Sequence, residues 1–129
     1  MAEKRELLIQ LDERVLHDLA EDLGKPAADQ FIKQYSDGLK QRLEVLTAAA
    51  FDRSLCLVHD TAVDLAVTST TVGASSLAQA ARAVAQDAVR YRTVPGVVAL
   101  ERLMRLAHDT ESALVRHLRT DTPAPESYE

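Results

Sequence analysis

Tryptophan is absent from this chain of 129 residues, and cysteine occurs once. The lone Cys56 excludes an intrachain disulfide and suits a reducing compartment. No metal-ligand spacing accompanies it and no glycine-rich loop is present to cradle a phosphate, so no metal and no cofactor are expected. Long apolar runs are missing too. No segment approaches the roughly 18 to 20 residues of a membrane span, and the opening MAEKRELLIQLDER has no apolar stretch of signal-peptide length. A cytoplasmic protein without a membrane partner is expected. Basic clusters are also lacking: 15 Lys and Arg are scattered among 20 Asp and Glu. At a net charge of -5 there is no positive stripe to displace counterions from nucleic acid. With only four glycines, four prolines and 47% hydrophobic residues, the composition favours one compact, helix-rich domain.

What the chain has is helical periodicity. Asp12 is a plausible N-cap for a short helix over Glu13 to Leu23, and Gly24 suits its left-handed exit. Pro26 fits the first turn of a second helix, in which Phe31, Tyr35, Leu39, Leu43 and Leu46 form a stripe widened by Ile32 and Ala50. After a break at Phe51 to Ser54, Leu55, Val58, Ala62, Leu65, Ser69 and Val72 recur at three- and four-residue steps. Gly73 interrupts this helix. A following one carries Leu77, Ala81, Val84, Ala88 and Tyr91, and a last one Val97, Leu100, Met104, Ala107, Leu114 and Leu118. No period-two pattern competes. The expected fold is all-α, an antiparallel up-down four-helix bundle with a short N-terminal capping helix. The bundle is expected over residues 1–119, with the polar tail 120–129, TDTPAPESYE, disordered.

Several stretches carry a family resemblance. They are the opening Leu-Asp-x-x-Val-Leu at Leu11 to Leu16, the leucine-spaced helix to Ala50, the run VHDTAVDLAVTSTTVGASSL from Val58 to Leu77, and the long final helix. Most specific is the junction Val72-Gly73-Ala74 with Leu77 four residues after Gly73, a tight step between two helices. Over roughly residues 10 to 119 the chain resembles the histidine-containing phosphotransfer (HPt) domains of two-component phosphorelays. The resemblance implies a four-helix bundle that passes phosphoryl groups to and from receiver-domain aspartates through a His on an exposed helix face.

The acceptor itself is replaced. In the family pattern the His is followed by an aliphatic residue, Lys, Gly and a small pair, with Gly-Ala about ten residues on. Counting back from Gly73-Ala74 puts Val63 at the His, Leu65 at the aliphatic position, Ala66 at the Lys, Val67 at the Gly and Thr68-Ser69 at the small pair. Relative to the core stripe, ~100° per residue turns Val63 and Val67 outward. Because helical side chains lean toward the N-terminus, Val67 covers position 63 where Gly would leave it open. Ala66 supplies no cation. The resulting expectation is a pseudo-HPt module that carries no phosphate and binds a response-regulator receiver domain or histidine kinase. The partner-binding face is His59, Val63, Ala66, Val67 and Thr70.

Two alternatives use the same face. His59, one turn before Val63 and beside Asp60, is the candidate phosphoacceptor of a shifted-site phosphotransfer protein. Alternatively, the apolar face is buried in a homodimer. His-Asp pairs also occur at His17-Asp18 and His108-Asp109, so the dipeptide alone carries little weight. His17, His108 and His117 are read as structural. Ser69, Thr68, Thr70 and Thr71 have no base placed by sequence to activate them, and Cys56 has only Arg53 as a basic neighbour.

Overall fold

The computed structural model describes residues 11–121. The expected start of the domain (residues 1–10) and most of the expected tail (residues 122–129) lie outside the described residues. The described residues form five α-helices and no strand: α1 Glu13–Leu23, α2 Lys25–Phe51, α3 Leu55–Thr71, α4 Ser75–Arg90 and α5 Val97–Asp121. Helix α5 thus runs two residues past the expected boundary at 119.

Local chemistry explains the boundaries. The Asp12 carboxylate accepts the Arg14 backbone N–H at 3.0 Å and caps α1. Gly24, at φ +86°, lets the chain leave α1 and begin α2 at the next residue, with Pro26 in the first turn where its missing N–H is not needed. Helix α3 is rich in β-branched residues, yet three of its four threonines satisfy themselves on its own backbone. Thr68, Thr70 and Thr71 donate their hydroxyls to the carbonyls of Asp64, Ala66 and Val67 at 2.9, 2.8 and 2.9 Å.

Helix α2 packs on α3 and α5, α3 on α4, and α4 on α5, closing a ring of four helices, while α1 packs on α2. Leu39, Leu46, Val58, Leu65, Leu77, Leu103 and Leu114 fill the ring and are fully enclosed. The α3–α4 contact is the most extensive, and both helices bury alanines, Ala62 and Ala66 on α3 and Ala78, Ala81 and Ala85 on α4. Small side chains there let the two helices approach closely.

The stripes expected on α2 and α3 are buried or half-buried as predicted; the later ones need correction. Tyr91 is exposed because α4 ends at Arg90 and the chain leaves the helix there. On α5, Val97 and Met104 are exposed, and the core is entered by Leu103, Ala107, Thr110, Ala113 and Leu114. Thr110 is polar and lies outside the expected stripe. Its hydroxyl donates to Leu106 O at 2.7 Å, which lets it lie among apolar neighbours.

Gly73 joins the first helix to the rest. It adopts φ +79°, and its carbonyl accepts the Asp12 N–H at 2.8 Å. A Cβ here would stand 2.7 Å from Asp12 O and 3.2 Å from Val15 Cβ. The glycine is required by backbone angle and by close approach together, and the contact holds the start of α1 against the α3–α4 turn.

Candidate functional site

Helix α3 turns one side to the core and leaves the other open. Val63 is 39% and Val67 59% exposed, and Thr70 is exposed beyond them. His59, one turn before Val63, keeps 40% of its side chain in solvent, with Nδ1 3.1 Å from Asp60 Oδ1. Four of the five expected face residues therefore share an accessible surface. Ala66 does not: it is only 4% exposed. Four residues after the buried Ala62, it is turned only ~40° from it and falls within the α3–α4 contact. The expectation that Ala66 contributes to an open face is corrected accordingly.

Both edges of the face are fixed by side chains from neighbouring helices. On the α2 side, Arg42 Nε donates to Asp64 Oδ2 at 2.8 Å, next to Val63 in sequence. The Arg42 guanidinium lies over Gly38 in this 27-residue helix, where an added Cβ would stand in tight contact with Nη1 at 3.1 Å. On the α4 side, Arg82 Nη2 donates to Thr70 Oγ1 at 3.0 Å. Beneath the face the Tyr35 and Ser69 hydroxyls share a buried 2.7 Å hydrogen bond between α2 and α3. Burial pushes the Tyr35 hydroxyl up to about 12, against the opposing effects of the Ser69 bond and the nearby Arg42 charge.

Arg82 was missed by sequence reasoning. The signal was available: no Lys or Arg occurs between Arg53 and Arg82, so Arg82 is the first cation after the whole of α3. What the sequence withheld was the turn of α4 that brings it beside Thr70.

His17, His108 and His117 stand apart from this face. His17 pairs with Glu21 at 3.2 Å, and His117 pairs with Glu13 at 3.2 Å, linking α5 to α1. His108 is exposed on α5 beside a groove of about 500 Å³ floored by Leu39 and Leu43. Thr68, Thr70 and Thr71 engage their hydroxyls on backbone carbonyls, and Cys56, seven residues before Val63 and turned only ~20° from it, is exposed. Among the described residues no group of three or more His, Cys, Asp or Glu could hold a metal ion, and no helix is long and apolar enough to cross a membrane.

No protein-family model matches the chain, and no curated protein matches it. A solved structure does. The chain is similar to the crystal structure of histidine-containing phosphotransfer protein B (HptB) from Pseudomonas aeruginosa PAO1, with a TM-score of 0.79 and 21% identity, over 86% of this chain and 96% of that one. At that identity the likeness is one of fold: the described helices adopt the helical fold of an HPt protein.

Proposed function

We propose that this chain is an HPt-like signalling module of a two-component phosphorelay that lacks the usual phosphoacceptor and acts by binding a receiver domain or histidine kinase. Its architecture in this reading is the antiparallel up-down four-helix bundle with α1 as a cap. The observation that carries the proposal is the exposed pair Val63 and Val67 on a chain whose fold is similar to that of an HPt protein. Valine offers no nucleophile, whereas two uncovered apolar side chains on a helix face suit docking. His59 and Thr70 complete the accessible surface.

The test is to incubate the purified protein with small-molecule phosphodonors and with receiver domains phosphorylated at aspartate, and then to measure intact mass. No phosphoryl addition is expected under conditions that label an ordinary HPt domain. Receiver or kinase binding should weaken in Val63→Asp or Val67→Asp while the helical circular dichroism is retained.

One observation favours a second reading. His59 Nδ1 stands 3.1 Å from Asp60 Oδ1, and a ring that donates from Nδ1 to that carboxylate presents its Nε2 lone pair, the arrangement a phosphoacceptor needs. Val63 leans back toward this ring and hinders in-line approach. Acid-labile, hydroxylamine-sensitive phosphate that is lost in His59→Ala and kept in His108→Ala would establish a shifted-site phosphotransfer protein instead.

A further inference from the structure

We propose that Arg82 makes the α3–α4 face selective for a receiver domain in its aspartyl-phosphate state, so that the protein senses a partner's phosphorylation without taking up the phosphoryl group. The inference rests on the docking face argued above and names the state of the partner that it prefers.

Among the described residues two cations border this face, Arg42 and Arg82, and only Arg82 is not already paired with a carboxylate. Helix α3 contains no Lys or Arg, and α4 contains only Arg82 and the terminal Arg90. The chain doubles back at Gly73, and Arg82 lies nine residues after it, while Val63 to Ala66 lie ten to seven before it. At ~1.5 Å per residue along both helices, the Arg82 backbone stands level with that segment, and its guanidinium, 3.0 Å from Thr70 Oγ1, lies at the turn that joins Ala66 to Thr70. The cation that position 66 cannot provide, being an alanine buried between the helices, therefore arrives from the neighbouring helix.

Its present partner is neutral. Arg82 donates to the Thr70 hydroxyl, which itself donates to Ala66 O, and Arg82 makes no ion pair among the described residues. Asp64, the acid nearest Val63, is held on the opposite edge by Arg42. An exposed guanidinium held by one neutral hydroxyl gives up little when it turns to an anion. A phosphoryl group offers it more charge and more acceptor oxygens than a bare carboxylate, in a geometry its planar fork can meet with two bonds. Val63 and Val67 exclude water around that contact, which strengthens it. With valine at the acceptor position no nucleophile stands there to attack phosphorus, so the contact is recognition without transfer.

The test titrates the full chain against a panel of receiver domains from the same organism, with and without beryllofluoride, a mimic of aspartyl phosphate that cannot be transferred. The wild-type protein should bind the beryllofluoride form at least about tenfold more tightly, as expected for a hydrogen bond to a charged group. Arg82→Gln should reduce that ratio to about one, and Arg82→Lys should keep part of it. A ratio near one in the wild type, or a ratio that survives Arg82→Gln, overturns the role of Arg82. Val67→Asp separates this from the reading beneath it, because it should weaken both receiver forms alike. Binding indifferent to Val67→Asp, or no binding to any receiver, would overturn this face as a receiver-docking surface and the inference with it.

Discussion

Tyr35 and Ser69 meet in the interior, 34 positions apart in sequence, each the hydrogen-bond partner the other needs. Removing one hydroxyl leaves the other buried and unpaired, at a cost of ~1 to 3 kcal/mol, whereas removing both leaves nothing unsatisfied. Tyr35→Phe and Ser69→Ala should each lower stability in urea denaturation, and the double variant should be closer to wild type than the sum of the two. The pair also has a pH signature. The Tyr35 hydroxyl is raised in the folded state to about 12 from an ordinary 10.0, so its contribution is fully present below pH 10.0 and is lost as pH rises through about 12. Melting temperature should therefore fall more steeply across that window in wild type than in Tyr35→Phe, which has no such proton to lose. At this scale the sequence is only half readable. Ser69 falls on the buried stripe and so is visible as a core position, but nothing in its neighbourhood names a tyrosine on the preceding helix as its partner.

Among the elements, those with a single apolar stripe were readable, whereas on α5 Ala107 and Leu114 are buried and Leu100 and Leu118 half-buried as expected, but Val97 and Met104 are exposed. On helix α3 the expected Val58, Ala62, Leu65 and Ser69 are all buried, and Ala66 joins them at the edge of the stripe. Helix α5 carries both Val97-Leu100-Met104 and Leu103-Ala107-Thr110-Leu114 at helical spacing. The choice between them is made by α2 and α4, which bury the second. Leu103→Ala should accordingly cost ~3 kcal/mol in denaturant unfolding, while Met104→Ala, on the exposed side, should stay within ~0.5 kcal/mol of wild type. The same scale explains Gly73. Its Gly-Ala signature was readable as a tight step between helices, yet the reason for glycine is α1, whose Asp12 backbone occupies the space a Cβ would take. Gly73→Ala should destabilise by about 2 kcal/mol or more, through both the positive φ and the clash. Hydrogen exchange should show the loss first at α1, because the Asp12 to Gly73 hydrogen bond anchors that helix.

For the molecule as a whole, the ring of helices fixes which chemistry the surface can be given back. If the offset from Gly73 identifies position 63 as the former acceptor, then Val63→His, Ala66→Lys and Val67→Gly together should turn the protein into a phosphoryl acceptor, read as label transferred from a phosphorylated receiver. The three changes are unequal on this structure. Positions 63 and 67 are open, so His and Gly enter without disturbing the core, and Val67→Gly uncovers the new imidazole. Position 66 is closed by α4, so a lysine there must extend along the helix contact to reach solvent beside Arg82, which already supplies a charge at that level. The pair Val63→His with Val67→Gly should therefore gain most of the acceptor activity, and Ala66→Lys should add less to it than Arg82→Gln removes. Label that appears only with the lysine would place the useful charge on α3 and not on α4. Absence of label in the triple variant, with its helical spectrum intact, would remove position 63 from the role of acceptor and return the choice to His59.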